Sequence, residues 1–187
     1  FDLIHSADET FVENLARAGL TRDHGQLYAI GRLVLFARAD GPFDAEQGMD
    51  GLAAALARGA IRNFAIANPE HAPYGRAARQ ALEKVGLWDA VYPRLVFGEN
   101  VSQAAQFAVS GSAEGGIFAY SLALAPEVGQ RGAWTLLPEE LHEPLRQRMV
   151  LLRRAGSTAQ AFYDYLQTDP ARAVLVRYGF TLPDAAP

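Results

Sequence analysis

The stretch IRNFAIANPEHAPYGRAARQALEKVG, residues 61–86, decides the fold class of this chain. Residues 61–67 read as a buried apolar strand, and residues 68–75 as a loop that contains two prolines. The helix that follows ends at Gly86. Apolar side chains recur along that helix at i, i+3, i+4 and i+7 spacing: Ala78, Ala81, Leu82 and Val85. A buried strand followed by a loop and a helix predicts one unit of an α/β fold.

The alternation of strands and helices continues on both sides of this stretch. The continuous apolar run at residues 32–37 is typical of a strand buried on both faces. A short strand at 94–97 is followed by Asn100, which is a good N-cap for a helix over 101–109. A further strand follows at 116–120. Strands that alternate with helices at this spacing predict a mostly parallel sheet.

The remaining predicted elements lie nearer the chain ends or are short. They are strands at 1–6, 134–137 and 149–152, and helices between Asp8 and Gly19 and at 52–56, 157–166 and 170–179. The helix at 157–166 is expected to bury three residues: Phe162, Tyr165 and Leu166. The last helix is expected to begin with Pro170 behind the capping Asp169.

Composition limits the functions that this chain can have. Its 187 residues suffice for one domain or two small lobes, and 17 basic against 21 acidic residues give a net charge of -4. That balance argues against broad binding to nucleic-acid phosphates. The absence of cysteine excludes a disulfide framework, a thiolate nucleophile and a Cys-ligated metal site. No apolar run approaches the roughly 20 residues of a membrane span, so we expect a soluble chain.

Two helix starts are the best candidates for a binding site. In open α/β sheets, ligands bind beyond the carboxyl ends of the strands, where helix N-termini point unpaired N–H groups outward. The loop around Tyr74 and the helix start at Val101 and Ser102 both occupy such a position. Helix N-termini attract anions. Because every helix has an N-terminus, an ordinary structural cap is the alternative interpretation of each.

Catalytic and metal-binding patterns are missing from the sequence. The chain has four histidines: His5, His24, His71 and His142. No two of them have the i, i+4 or His-x-His spacing that builds a metal site. His71 beside Glu70 allows a general base, although a locally satisfied loop side chain is the better interpretation. The glycine-rich residues 111–116 precede a strand, so we interpret them as a turn rather than a phosphate loop. The sequence therefore does not indicate an enzyme.

Three segments resemble one family of transport proteins: residues 65–75, 116–121 and 177–180. Residues 6–8 and 161–166 are similar to the same family. On these segments the chain resembles the periplasmic molybdate-binding proteins of ABC transporters, and the resemblance spans essentially all of it. The resemblance implies an α/β fold of the type II periplasmic-binding-protein class, with two lobes of which the first is incomplete.

The resemblance also implies how the chain is divided. Residues 1–33 and 149–187 form the partial first lobe, and residues 34–148 form the second. In the family, further strands and helices with hydroxyl ligands precede the position that matches Phe1, and this chain shows no signal peptide before that residue. We therefore expect weak or no molybdate binding by the chain as given. We also expect its open sheet edge to allow self-association, in contrast to a monomer when the protein is intact.

The resemblance implies a function in transport. A member of this family binds molybdate or tungstate in the cleft between its lobes and delivers the oxyanion to a membrane permease from the periplasm. Neutral hydroxyl and N–H donors hold the oxyanion, with no cofactor and no directly bound cation. Tyr74 matches the loop position that donates a hydroxyl, and Val101 matches the backbone N–H at the next helix start. Some members place a tyrosine ligand where this chain has Ala119, and Tyr120 is only its neighbour.

Two other functions stay open on the sequence alone. A regulatory domain of the same fold would sense a small anion for a transcription factor. The sequence upstream of Phe1 distinguishes that regulatory domain from a transport protein. An enzyme that uses His71 and a nearby carboxylate is the weaker alternative, and it would require His71 to be essential for turnover.

Overall fold

The computed structural model describes residues 1–183. The chain forms two compact units. The first unit combines Phe1–Gly31 with the chain from Pro144 onward, and the second is Arg32–Glu143. The lobe boundaries that the resemblance implies stay a prediction, and residues 184–187 of the expected first lobe lie outside the described residues.

The helices and strands follow one another in this order: β1 (Leu3–Ser6), α1 (Glu9–Arg17), β2 (Gln26–Gly31), β3 (Leu33–Arg38), α2 (Gly48–Ala57), β4 (Phe64–Ala67), α3 (Pro73–Lys84), α4 (Trp88–Val91), β5 (Leu95–Gly98), α5 (Val101–Ser110), β6 (Gly115–Ala119), α6 (Tyr120–Ala123), α7 (Pro126–Gly129), β7 (Gly132–Leu136), β8 (Leu145–Leu151), α8 (Ser157–Tyr165) and α9 (Asp169–Arg177). Short 3-10 helices lie at Ala45–Gln47, Tyr92–Arg94 and Glu139–Leu141. Among residues 1–183, no helix has the length and apolar character needed to cross a membrane.

The second unit is built on a five-stranded sheet in the order β5-β4-β6-β3-β7. β4 pairs in parallel with β5 and β6, whereas β3 pairs antiparallel with β6 and β7. The prediction of a mostly parallel sheet is therefore wrong. The apolar run of β3 is buried along nearly its whole length, as predicted. Burial on both faces gives the same run of apolar residues whichever way the neighbouring strands point, so the sequence did not reveal strand direction.

The core of the second unit combines large aromatic side chains with alanines. Phe36 and Phe118 are fully buried, with ring centroids 5.5 Å apart. Small residues of α5 are buried as well: Ala104, Ala105 and Ala108. α3 approaches the sheet very closely, because a Cβ on Gly75 would overlap the Ala67 carbonyl group and lie 2.7 Å from its carbon atom. The first turn of α3 therefore lies directly on the end of β4.

The first unit holds a three-stranded antiparallel sheet in the order β1-β8-β2. The sequence pattern did not indicate β2, because a bulge between Leu27 and Ala29 interrupts the alternation of its side chains. β8 begins at Leu145, earlier than predicted, because the polar stretch before Met149 alternates between buried and more exposed residues. Its buried residues in that part are Leu145, Gln147 and Met149.

The buried face of α8 differs from the prediction. Tyr163 is the buried aromatic residue, and Leu166 packs partly against the same cluster. Phe162 and Tyr165, which were expected to be buried, are 50% and 51% exposed. Neighbouring helix positions point in directions about 100° apart, so an error of one residue in the buried position turns the predicted face toward solvent.

The helix caps of the first unit follow the predictions in part. Asp8 caps α1, and its carboxylate accepts a hydrogen bond from the Thr10 N–H at 2.9 Å. In α9, Thr168 holds the N-cap position that was expected for Asp169, and Asp169 is the first helical residue. Pro170 is therefore the second helical residue rather than the first. Proline is tolerated at this second position as well, because the N–H groups of the first turn lack intrahelical acceptors.

Candidate functional site

Three strand ends meet at one edge of the five-stranded sheet. β4 is parallel to both β5 and β6, so the carboxyl ends of these three strands lie at the same edge. Each strand is followed by a helix: β4 by α3, β5 by α5 and β6 by α6. The chain therefore gathers three helix starts there. We call this region the carboxyl edge, and it comprises residues 67–75, 98–102 and 119–120.

The helix starts that carry the two predicted site residues are neighbours on the carboxyl edge. The Asn68 N–H donates a hydrogen bond to the Gly98 carbonyl oxygen at 2.8 Å, which joins the loop before α3 to the turn before α5. The same segments share a buried cluster formed by Ala67, Ala72 and Ala104. The structure thus brings the start of α3, with Tyr74, beside the start of α5, with Val101.

At the start of α5, two backbone N–H groups have no acceptor among residues 1–183. Asn100 caps this helix as predicted, because its Oδ1 accepts a hydrogen bond from the Gln103 N–H at 3.0 Å. In return, Gln103 Oε1 accepts a hydrogen bond from the Glu99 N–H at 2.7 Å, an arrangement that resembles a capping box. In the part of the chain that the structure describes, no acceptor engages the N–H groups of Val101 and Ser102.

The start of α3 presents a side chain instead. Tyr74 is the second residue of α3, directly after Pro73, and its side chain is buried. The loop in front of it is held by Asn68, whose Oδ1 accepts from the Glu70 N–H at 3.0 Å. The Asn68 carbonyl oxygen also accepts from the Ala72 N–H at 2.9 Å. A buried ring next to an internally bonded loop has little side-chain entropy left to lose on engaging a ligand.

The end of β6 has no corresponding tyrosine. Ala119 closes the strand and is buried, and Tyr120 begins the short helix α6. The Tyr120 ring packs against Trp134 with ring centroids 4.9 Å apart, and its backbone N–H donates to the Arg32 carbonyl oxygen at 2.9 Å. The Tyr120 side chain is thus used in packing within the second unit.

Charged side chains of the second unit form pairs that sequence analysis missed. His71 Nε2 lies 3.5 Å from Glu99 Oε2, so the carboxylate beside this histidine is Glu99 rather than the adjacent Glu70. At the start of β3, an Arg32 guanidinium nitrogen lies 2.7 Å from Glu139 Oε1. The partners in both pairs are far apart in sequence, and no periodic pattern links residues at such separations.

His142 is the most buried histidine of the second unit. It is 9% exposed, and its Nδ1 lies 2.7 Å from the Glu143 carbonyl oxygen. Desolvation by burial lowers the pKa of His142, and the nearby Arg32 charge lowers it further. Within residues 1–183, no three His, Cys, Asp or Glu side chains come together in a group able to hold a metal ion.

Comparisons with known proteins place the chain in a family. The profile of the family described as bacterial extracellular solute-binding protein matches residues 1–181. The molybdate-binding protein ModA of Azotobacter vinelandii is 38% identical over 185 residues, which cover 97% of this chain and 71% of that protein. ModA of Rhodobacter capsulatus is 32% identical over 183 residues, which cover 96% of this chain and 69% of that protein.

Solved structures of binding proteins also match this chain. The periplasmic molybdate-binding protein of Azotobacter vinelandii matches with a TM-score of 0.85 at 30% identity, covering 98% of this chain and 79% of that chain. The sulfate-binding protein SubI of Mycobacterium tuberculosis matches with a TM-score of 0.72 at 18% identity, covering 98% and 69%. The second match shows the fold alone. The expected α/β periplasmic-binding-protein fold and the resemblance to periplasmic molybdate-binding proteins are confirmed, and the chain belongs to the family of bacterial extracellular solute-binding proteins.

Proposed function

We propose that this chain is the molybdate-binding component of an ABC transporter. Two relatives that are named molybdate-binding proteins, at 38% and 32% identity, support molybdate as the ligand. The structural observation that carries the proposal is the pair of neighbouring helix starts on the carboxyl edge. There, the N–H groups of Val101 and Ser102 have no acceptor among the described residues, and Tyr74 belongs to the adjacent helix start.

In this proposal, neutral donors hold the dianion. The Val101 N–H and the Tyr74 hydroxyl each donate a hydrogen bond to an oxygen of molybdate. The N-terminus of α5 adds roughly half a positive charge. Hydrogen bonds to an ionised acceptor are stronger than those between neutral groups, so a few oriented donors suffice. The oxyanion is bound whole, without a directly bound cation or a cofactor, and a chain with a net charge of -4 can bind it in this way.

The same donors favour larger tetrahedral oxyanions over smaller ones. Molybdate and tungstate are tetrahedral dianions of nearly equal size, so we propose that both bind. Sulfate carries the same charge but is smaller. Donors that are fixed by the Asn100 cap and by the buried Tyr74 ring cannot close in on the smaller ion, so its hydrogen bonds are longer and weaker.

We further propose a periplasmic location and delivery of the oxyanion to a membrane permease. Support comes from the description of the family as extracellular solute-binding proteins and from the similarity to a periplasmic protein of Azotobacter vinelandii. The alternative, an anion-sensing domain of a transcriptional regulator, draws no support from these relatives.

Calorimetric titration with molybdate, tungstate, sulfate and phosphate tests the proposal. It is done on the protein in its natural full length and on residues 1–187 alone, and the second arm tests the expectation that these residues alone bind weakly. We expect the full-length protein to bind molybdate and tungstate far more tightly than sulfate or phosphate. Failure of the full-length protein to bind either of the two larger oxyanions would refute the proposal.

A matched pair of variants tests the role of the Val101 N–H. Val101→Pro removes this donor at the first helical position, where proline is well tolerated, and Asn100 already has the extended backbone that a following proline requires, with φ -147 and ψ 174. Val101→Ala keeps the N–H and is the control. Loss of one hydrogen bond to a charged group predicts a fall in affinity of about tenfold to a hundredfold for the proline variant and less than about twofold for the alanine variant. Equal effects of the two substitutions would exclude Val101 N–H as a ligand group.

A further inference from the structure

One side-chain pair of the carboxyl edge has no part in the proposed binding of the oxyanion. His71 Nε2 lies 3.5 Å from Glu99 Oε2, and the two side chains are 50% and 81% exposed. His71 belongs to the loop before α3 and Glu99 to the turn before α5. The pair therefore spans the two segments that carry Tyr74 and Val101.

The position of Glu99 makes its charge relevant to an anion. Two peptide units separate Glu99 from Val101, so their Cα atoms are at most about 7.6 Å apart. A carboxylate at a helix start interacts favourably with the helix dipole, but it also repels a second negative charge that arrives at the same N-terminus. A bound dianion at α5 therefore lies within the field of Glu99 unless a neighbouring positive charge cancels it.

We propose that the His71–Glu99 pair regulates the affinity of the carboxyl edge for its oxyanion according to pH. This inference rests on the proposed function. When His71 is protonated, its charge offsets that of Glu99, and a dianion binds more tightly. When His71 is neutral, the charge of Glu99 is not offset, and the dianion binds more weakly.

Histidine is suited to this role because it is the side chain that ordinarily changes charge between about pH 5 and pH 8. The other charged groups on the elements around His71 are carboxylates, guanidinium groups and one ammonium group: Glu70 in its own loop and Arg76, Arg79, Glu83 and Lys84 on α3. Groups of these classes ordinarily keep their charge over that interval. Their charges are therefore a constant background over this interval.

The expected effect is modest because both side chains are exposed. A unit charge about 10 Å from a dianion in water changes its affinity about two- to threefold at roughly 0.01 M ionic strength. At about 0.15 M the Debye length is roughly 8 Å, and the effect shrinks to below about twofold. The affinity should therefore rise about two- to threefold between about pH 8 and pH 5.5 in dilute buffer, and less in added salt.

The test is the affinity of the full-length protein for micromolar molybdate, measured across this pH interval at low and at higher ionic strength. Glu99→Gln should bind about two- to threefold more tightly than wild type at about pH 8, and its affinity should still rise as the pH falls, because His71 can still gain its charge. His71→Gln should lose the pH trend but keep the weaker affinity. Glu46→Gln makes the same change of charge in an exposed residue that follows β3 at the opposite edge of the sheet, and it should behave like wild type.

These affinity measurements distinguish a failure of the pH regulation from a failure of molybdate binding itself. A wild-type affinity that does not change with pH, or a Glu99→Gln variant that binds molybdate no more tightly than wild type at about pH 8, overturns the inference while molybdate binding stands. A trend that survives in His71→Gln points to another histidine and overturns the role of His71. Absence of molybdate and tungstate binding in wild type and in every variant overturns the proposed function and the inference together.

Discussion

The two neighbouring helix starts of the carboxyl edge are built differently. α5 begins behind a side-chain cap, Asn100, which leaves the Val101 N–H without an acceptor among the described residues. α3 begins behind Ala72, which provides no side-chain cap, and its first residue, Pro73, has no N–H to donate. The first turn of α5 thus has backbone N–H groups without an acceptor among the described residues, whereas the start of α3 carries the buried side chain of Tyr74.

The two helix starts are therefore held in place in different ways. At α5 the Asn100 side chain fixes the backbone of the first turn. At α3 packing replaces the cap, because Gly75 allows the first turn to lie on the end of β4. We therefore expect substitutions at α5 to act through the cap and the backbone N–H, and substitutions at α3 to act through packing and one hydroxyl.

The largest effect is expected from Gly75→Ala at the start of α3. The added Cβ would lie 2.7 Å from the Ala67 carbonyl carbon and 2.8 Å from the Asn68 carbonyl carbon. These are backbone atoms at the end of β4, so the helix or the strand must move. Overpacking at such a site should lower the free energy of unfolding by about 3 kcal/mol, measured by urea denaturation.

Gly86→Ala is the control at the other end of the same helix. Gly86 has φ +73, but a Cβ added to this residue would meet no atom within 4 Å, so only the backbone strain of about 1 kcal/mol is expected. If Gly75→Ala and Gly86→Ala lowered the free energy of unfolding equally, close packing against β4 would not explain why the start of α3 needs a glycine.

A smaller effect is expected from Asn100→Ala at the start of α5. Removal of the side-chain cap leaves the Gln103 N–H without its acceptor and should lower the free energy of unfolding by about 1 kcal/mol. The affinity for molybdate should fall as well, because the first turn of α5 loses its fixed orientation. Denaturation and calorimetric titration measure the two quantities.

Two further substitutions at Asn100 distinguish the effect of helix capping from the effect of a negative charge near the anion. Asn100→Ser keeps a neutral cap and should stay close to wild type in both quantities. Asn100→Asp also keeps the cap, so stability should be retained, but its negative charge should weaken the binding of a dianion. An aspartate variant that binds molybdate as tightly as wild type would show that the anion does not lie at the start of α5.

The parts of this edge that could be predicted from sequence are those with local causes. The strand, loop and helix of residues 61–86 follow from spacing and from the position of the prolines. The cap at Asn100 follows from residue type and from its place before an apolar helix. Both depend on residues within a few positions of one another, and the structure confirms both, although the predicted strand at 61–67 begins only at Phe64.

The parts that could not be predicted depend on contacts between distant segments. The bulge in β2 interrupts the alternation of buried and exposed side chains that would indicate a strand. The direction of β3 relative to its neighbours cannot be inferred from its sequence, because a strand buried on both faces is apolar in either direction. The pairing of His71 with Glu99 arises only because β4 and β5 are adjacent and parallel. In the carboxyl edge, the sequence therefore predicts the separate helix starts, and the sheet topology determines which charged groups surround them.

The smallest structural change, and the most specific, is Tyr74→Phe at the start of α3. The substitution keeps the buried ring and removes only the hydroxyl, so the affinity for molybdate should fall about tenfold, at the lower end of the range for the loss of one hydrogen bond to a charged group. Tyr120→Phe is the matched control, because its ring can still pack against Trp134, and it should leave the affinity unchanged. Calorimetric titration of both variants decides between the two tyrosines. A loss confined to Tyr120→Phe would move the side-chain donor to the end of β6, and the comparison between α3 and α5 would then no longer describe the binding site.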